Sequence, residues 1–265
     1  MLELNKIYNM DCLEGMKLLD DKSIDLTVTS PPYDNLRTYN GFTFDFEGIA
    51  KELYRVTKDG GVVVWVVGDA TINGSETGTS FKQALYFKEI GFNLHDTMIW
   101  RKPNPLPTLA KNRYTGCFEY MFIFSRGVPI HGAIRQIPSK NADKEYRVRR
   151  NNATSKGGGG VSTKDKVYTT KATRNDFNIW EIAPAMSFEY FNHPAQFPEA
   201  LASDHIISWS NKDDIVLDPF MGSGTTGKMA YQNNRNYIGF EISKEYCDIA
   251  NKRIDDVKAQ IRMEF

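Results

Sequence analysis

Two short segments of this 265-residue chain carry residue types that could do chemistry together. The first is Thr29-Ser30-Pro31-Pro32-Tyr33. It ends the run Ile24 to Thr29, whose β-branched residues read as a strand. Two prolines hold φ near about −65° and bring no N–H, so the turn is rigid and its carbonyls are exposed. Ser30 adds a hydroxyl and Tyr33 a flat face. Such a set can accept hydrogen bonds from an exocyclic amino group while stacking on its ring. Taken alone, a Pro-Pro pair is also what a stiff corner requires.

The second segment is Asp214 to Tyr231, DIVLDPFMGSGTTGKMAY. A strand ends at Asp218, a glycine-rich turn follows, and a helix begins near Thr225. Glycines let the backbone approach a ligand, and a helix N-terminus favours negative charge. Gly222, Gly224 and Gly227 match the dinucleotide fingerprint GxGxxG. Gly222 to Lys228 also match GxxxxGK, but Met229 stands where a phosphate loop needs Ser or Thr for magnesium. Glu241 follows Asp218 by 23 residues and would bind ribose hydroxyls. A nucleoside without phosphate, S-adenosylmethionine, needs the same turn and acid. The loop alone leaves dinucleotide, S-adenosylmethionine and plain tight turn open.

Alternating strands and helices must position these segments. Phe46, Ile49, Leu53 and Val56 recur at helical spacing, with Gly60-Gly61 as the stop. Gly61 to Val67 reads as a strand buried on both faces. Ser80 to Ile90 reads as a helix stopped by Gly91, and Thr97 to Arg101 and Phe118 to Phe124 as strands. Residues 127–178 contain Gly157 to Gly160 and read as a flexible loop. Gln196 to Trp209 reads as a helix, and Ile215 to Leu217 and Tyr237 to Phe240 as strands. A last helix starts near Lys244 with Ser243 as N-cap and a stripe of Tyr246, Ile249, Ile254, Val257 and Ile261. The sum is a mostly parallel α/β sheet with a basic insertion.

Composition narrows the class. Hydrophobic residues make up 41%, and the longest apolar run is Val62 to Val67, so no membrane span is expected. The first residues lack a signal peptide's basic start and apolar stretch, and the expected location is cytoplasmic. Cys12, Cys117 and Cys247 are widely scattered and form no CxxC pair, which argues against a disulfide framework or a structural zinc site. The histidines form no ligand-spaced pair, so no metal is expected. Net charge is zero, yet residues 127–178 hold eleven Lys and Arg against four acids, leaving that stretch at +7 and the rest at −7. A basic block suits a polyanion, and a solvated loop would look the same.

Ser30 to Tyr33 and Asp218 to Thr226 together resemble the amino-methyltransferases of DNA, with their motifs [D/N/S]PP[Y/F] and DPFxGSGTT. The order resembles the β-class, which implies a Rossmann-like methyltransferase sheet, circularly permuted, with a basic target-recognition insertion. Tyr8 to Cys12, Trp100 to Asn104, His193 to Pro198 and Gly239 to Glu241 resemble further family segments, with Phe197 replacing Lys. The implied division is 1–126 as catalytic half, 127–178 as target-recognition insertion and 179–265 as cofactor half. The resemblance implies S-adenosylmethionine held by Asp11, Asp218, Pro219, Phe220, Gly222, Ser223, Gly224, Thr225 and Glu241. It implies catalysis by Ser30, Pro31, Pro32 and Tyr33 on a flipped base. Lys144, Arg147, Arg149 and Arg150 become candidate contacts to double-stranded DNA. Ser before PPY resembles the cytosine-N4 subset in a restriction–modification setting. Adenine-N6 methylation is the alternative, and a non-catalytic DNA-binding module a remoter one. A homodimer and a cognate restriction endonuclease stay open.

Overall fold

The structure, a computed structural model, describes residues 2–32, 44–148, 166–185 and 198–263. The larger unit comprises residues up to Ala133 and from Asn178 onward. It is built on eight strands: β1 (Lys6–Asn9), β2 (Ile24–Thr29), β3 (Thr57–Val67), β4 (Asn93–Arg101), β5 (Phe118–Ser125), β6 (Ile179–Glu181), β7 (Ile215–Asp218) and β8 (Asn236–Glu241). Their order in the sheet is β1-β8-β7-β2-β3-β5-β4-β6. Only β5 runs antiparallel to its neighbours.

Helices cover both faces, as a parallel sheet demands. These are α1 (Cys12–Lys17), α2 (Phe46–Val56), α3 (Thr79–Glu89), α4 (Glu199–Trp209), α5 (Thr225–Gln232) and α6 (Lys244–Met263). The first three pack through one core with Val63, Trp65, Val67, Phe124, Leu217 and Phe240. The other three pack on one another and on β2, β3, β7 and β8 from the opposite side. Burial of Ile49, Leu53 and Val56 sets the face of α2, each contributing about 1.5–3 kcal/mol. Aromatic rings tighten this core, with Phe87 stacked on Phe124 at 4.4 Å and edge-on to Trp65 at 5.2 Å.

Gly60 and Gly61 do not stop α2. The helix ends at Val56, the Thr57 hydroxyl donates to the Leu53 carbonyl at 2.6 Å, and β3 begins at once. The glycines instead accommodate a register break, since Ile24 pairs with Thr57 but Leu26 with Val62. Gly60 takes φ of 81°, and a Cβ on Gly61 would lie 2.8 Å from the Thr57 side chain. Helix α4 starts at Glu199, with Pro198 as N-cap, while Gln196 and Phe197 lie outside the described residues.

The smaller unit spans Ile134–Phe177. Its described part is not the loop expected from sequence but two antiparallel ribbons. Gln136–Pro138 pair with Thr173–Asn175, and Glu145–Val148 with Lys166–Thr169. Local β-formers (Tyr146, Val148, Val167, Tyr168) outweigh the polar composition around them. Residues 149–165, including the four glycines, lie outside the described residues. Gly127 to Ala133 belong to the larger unit, where the Ile130 N–H donates to the Gly60 carbonyl at 3.1 Å. No helix among the described residues is long and apolar enough to cross a membrane.

Candidate active site

Strands β7 and β2 lie side by side and parallel, with Leu217 opposite Thr27. Their carboxyl ends therefore place the glycine loop beside Ser30-Pro31-Pro32. The chain leaves β7 through α5 on one face of the sheet and reaches β3 through α2 on the other. Such a divergence of connections at the carboxyl ends of the strands is where open α/β sheets bind ligands.

A buried cluster joins the two ends. The Thr29 hydroxyl donates to Asp218 Oδ1 at 2.6 Å, and the Phe220 N–H donates to the same oxygen at 3.0 Å. The Thr226 hydroxyl donates to the Val28 carbonyl at 3.2 Å. Asp218 is only 5% exposed. Burial pushes its carboxyl up to about 6, while the hydrogen bonds from Thr29 and Phe220 pull the other way.

The glycine loop is shaped by close approach. Gly222 and Gly224 take φ of 51° and 85°. A Cβ on Gly224 would lie 2.7 Å from the Ala250 Cβ, so α6 could not close on the start of α5. The Met221 N–H donates to the Phe240 carbonyl at 2.9 Å. Glu241 then spans the loop mouth. One carboxylate oxygen accepts from the Gly222 N–H and the other from the Ser243 N–H, both at 2.8 Å. Burial raises the Glu241 pKa above the usual carboxylate range.

This donor set separates the ligand classes that the loop alone left open. Lys228, the lysine of the GxxxxGK match, is paired with Glu199 on α4 at 2.6 Å. The Thr226 hydroxyl is turned into the sheet. Neither is placed for a phosphate. The Gly222 amide that would cradle a pyrophosphate is already held by a carboxylate, so a phosphate would meet like charge. A nucleoside bearing a cationic sulfonium and no phosphate fits the same acids.

The remaining residues expected at the site fall as follows. Ser30 and Pro32 are half-buried and Pro31 buried; Tyr33 lies outside the described residues. Asp11 caps α1, accepting from the Leu13 and Glu14 N–H groups at 2.8 and 3.1 Å. It follows β1, whose Asn9 is paired with Glu241, so Asp11 stands at the same end of the sheet as Glu241. Pro219 is buried, and Phe220 is half-buried with Phe44 edge-on at 5.7 Å. Ser223 and Thr225 are buried and turned toward Arg253, whose guanidinium donates to the Ser223 carbonyl and hydroxyl at 2.6 and 2.9 Å. Lys144 is exposed, and Arg147 pairs with Val167 in a ribbon of the smaller unit. Arg149, Arg150 and His193 to Phe197 lie outside the described residues. Among the described residues no cluster of His, Cys, Asp or Glu could hold a metal ion.

Sequence reasoning missed two contributors. Thr29 was legible as the residue before Ser30 that shares a strand face with Thr27, but its partner lies 189 residues away. Arg253 carries no local signal, because its loop partner lies 30 residues earlier.

A parallel sheet with one reversed strand, a phosphate-excluding glycine loop and a Ser-Pro-Pro turn beside it define an S-adenosylmethionine-dependent methyltransferase acting on amino groups. The chain belongs to the DNA methylase family of N6 and N4 amino-methyltransferases, whose model matches residues 24–252. It is 56% identical over 243 residues to the orphan methyltransferase M.BamHII of Bacillus amyloliquefaciens, covering 89% of this chain and 90% of that protein. It is 29% identical over 259 residues to the type II methyltransferase M.BglII of Bacillus subtilis, covering 93% and 68%. Among solved structures, the M1.HpyAVI–SAM complex matches with a TM-score of 0.62 and 25% identity, over 94% of this chain and 98% of that one. The cytosine-N4-specific PvuII DNA methyltransferase shares the fold, with a TM-score of 0.68 and 23% identity over 93% and 85%. The fold is the circularly permuted one, because the inner strand that runs into the glycine loop comes seventh in the chain. The enzyme transfers the methyl group of S-adenosylmethionine to DNA.

Proposed function

We propose that the methyl group goes to N4 of cytosine at a specific sequence in double-stranded DNA. The observation that carries this reading is a neutral Ser30, not an acid, at the end of β2, one residue past the Thr29–Asp218 hydrogen bond of 2.6 Å.

The cytosine amino group is a weak nucleophile, because its lone pair is delocalised into the ring. In a duplex it is also buried, so the base must be flipped out at a cost of a few kcal/mol. Ser30 Oγ and the Pro31 carbonyl accept hydrogen bonds from the two amino hydrogens. That draws the nitrogen toward a tetrahedral geometry and localises its lone pair. Tyr33 stacks on the extruded ring, worth about 1–3 kcal/mol. S-adenosylmethionine, when bound, supplies an electrophilic methyl on a cationic sulfur. Glu241 and Asp11 orient its ribose and adenine, and the glycine loop from Asp218 to Thr225 sets its distance from Ser30. The new C–N bond forms as the C–S bond breaks, and the surplus proton on nitrogen leaves to solvent past Ser30. Holding both reactants in line supplies much of the rate.

The basic stretch 127–178 is the target-recognition region in this reading. Lys144, Arg147, Arg149 and Arg150 contact phosphates and base edges. The proposed setting is cytoplasmic, as the modification arm of a restriction–modification system. Relatives named as orphan and as type II methyltransferases leave a cognate nuclease open.

Mass spectrometry of nucleosides from DNA methylated in vitro tests the reading. N4-methyldeoxycytidine is the expected product. N6-methyldeoxyadenosine would transfer the assignment to adenine, and no product from folded, cofactor-bound protein would leave only a DNA-binding module.

A further inference from the structure

Residues 102–117 join β4 to β5, and the Lys102 N–H closes the loop by donating to the Cys117 carbonyl at 2.7 Å. Strand β4 runs parallel to β2 and β7, so this loop leaves the sheet on the edge that carries Ser30 and the glycine loop. Strands β3 and β5 stand between β4 and β2. The loop is thus two to three strand spacings from Ser30, about 10–14 Å, on the side away from the cofactor.

Three large side chains on it meet solvent almost completely: Leu106 at 92%, Leu109 at 97% and Tyr114 at 101%. Fully exposed large apolar side chains grouped on one short connection mark it as a candidate contact surface. The loop is also held. Pro103, Pro105 and Pro107 stiffen its outward leg. Arg113 donates to the Gly74 carbonyl and pairs with Glu76 at 3.7 Å, which fastens the return leg to the hairpin Thr71–Glu76 after β3. Lys111 lies exposed between the apolar tips. A stiff loop with apolar tips and a cation beside a base-binding turn matches what an opened duplex presents. Extrusion of one base leaves unstacked apolar faces, and the phosphates lie close by.

We propose that loop 102–117 is a DNA-contacting wedge. Leu106, Leu109 and Tyr114 pack against base pairs left unstacked by extrusion of the target base, and Lys111 contacts a phosphate. This rests on the enzyme's DNA substrate and not on which base it methylates.

The test compares the full-length parent with Leu106→Ser/Leu109→Ser, Leu106→Met/Leu109→Met and Tyr114→Ser. Tritiated methyl transfer to unmethylated plasmid DNA gives KM and kcat, calorimetry gives the affinity for S-adenosylmethionine, and sedimentation gives the oligomeric state. The Ser variants should raise KM for DNA by about tenfold per side chain removed, the order that burying one leucine or stacking one aromatic ring supplies. The Met variant should stay close to the parent, with cofactor affinity and sedimentation unchanged throughout. Parental kinetics in the Ser variants would overturn the proposal. So would a sedimentation change, which would make the loop a contact between copies of this chain. Nucleoside analysis reads the base separately and bears on the proposed specificity, not on this loop.

Discussion

Replacing Thr29 by Val keeps the branched shape inside β2 and removes the hydroxyl that donates to Asp218 at 2.6 Å. The effect depends on pH, because the acceptor is a buried carboxyl whose pKa burial has pushed up to about 6. An unfolded Asp titrates near about 3.9. Relative to the unfolded chain, Asp218 therefore favours folding most below about pH 4. That contribution is lost as pH rises to about 6, about 3 kcal/mol in all, and is flat above. A hydrogen bond to a charged acceptor contributes about 1.5–3 kcal/mol, and one to a neutral acceptor about 0.5–1.5 kcal/mol. Thr29→Val should thus cost about 2 kcal/mol at pH 8 and about 1 kcal/mol at pH 5, and drive the Asp218 pKa further up. Urea denaturation of parent and variant at the two pH values measures this. An equal loss at both, or a larger one at pH 5, would refute the idea that the hydroxyl stabilises an ionised Asp218. Because the bond joins the proposed catalytic turn to the proposed cofactor loop, turnover should fall more than cofactor affinity.

Other substitutions probe the remaining parts. Ser30→Ala should lower kcat on the order of a hundredfold while leaving the calorimetric affinity for S-adenosylmethionine near the parent's, as for loss of one positioned polar group. Gly224→Ala places a methyl 2.7 Å from the Ala250 Cβ at a φ of 85°. It should cost about 2 kcal/mol or more and weaken cofactor binding, both visible in melting curves with and without S-adenosylmethionine. Neutralising Arg149 and Arg150 with Gln should flatten the logarithmic salt dependence of DNA binding by about 2, and an unchanged slope would remove both from the interface.

Local features of this fold were largely legible in the sequence. The β-branched run of β2, the period of α2 and the glycine turn into α5 are set by neighbours within a few residues. So are the strand β7 and the capped start of α6. Legibility failed where a glycine or a polar stretch has two physical uses. Gly60-Gly61 served a strand irregularity and not a helix stop, because Thr57 ended the helix first. The paired ribbons of the smaller unit were hidden by basic and polar composition. Strand β1 is short, and its pairing with β8 joins residues more than 200 positions apart.

Taken by itself, the sequence determined two rigid chemical tools. Proline fixes its own φ and glycine permits conformations closed to other residues, so a stiff Ser-Pro-Pro turn after one strand and a tight glycine turn after another were legible in kind. Only the tertiary structure decided that these turns meet. It also aimed Lys228 at Glu199, away from the loop, and set the Glu241 carboxylate on the amide that a phosphate would need. The reason is that strand order in a parallel sheet follows from burial summed over the whole chain, and no stretch of neighbouring residues encodes which strand will lie alongside.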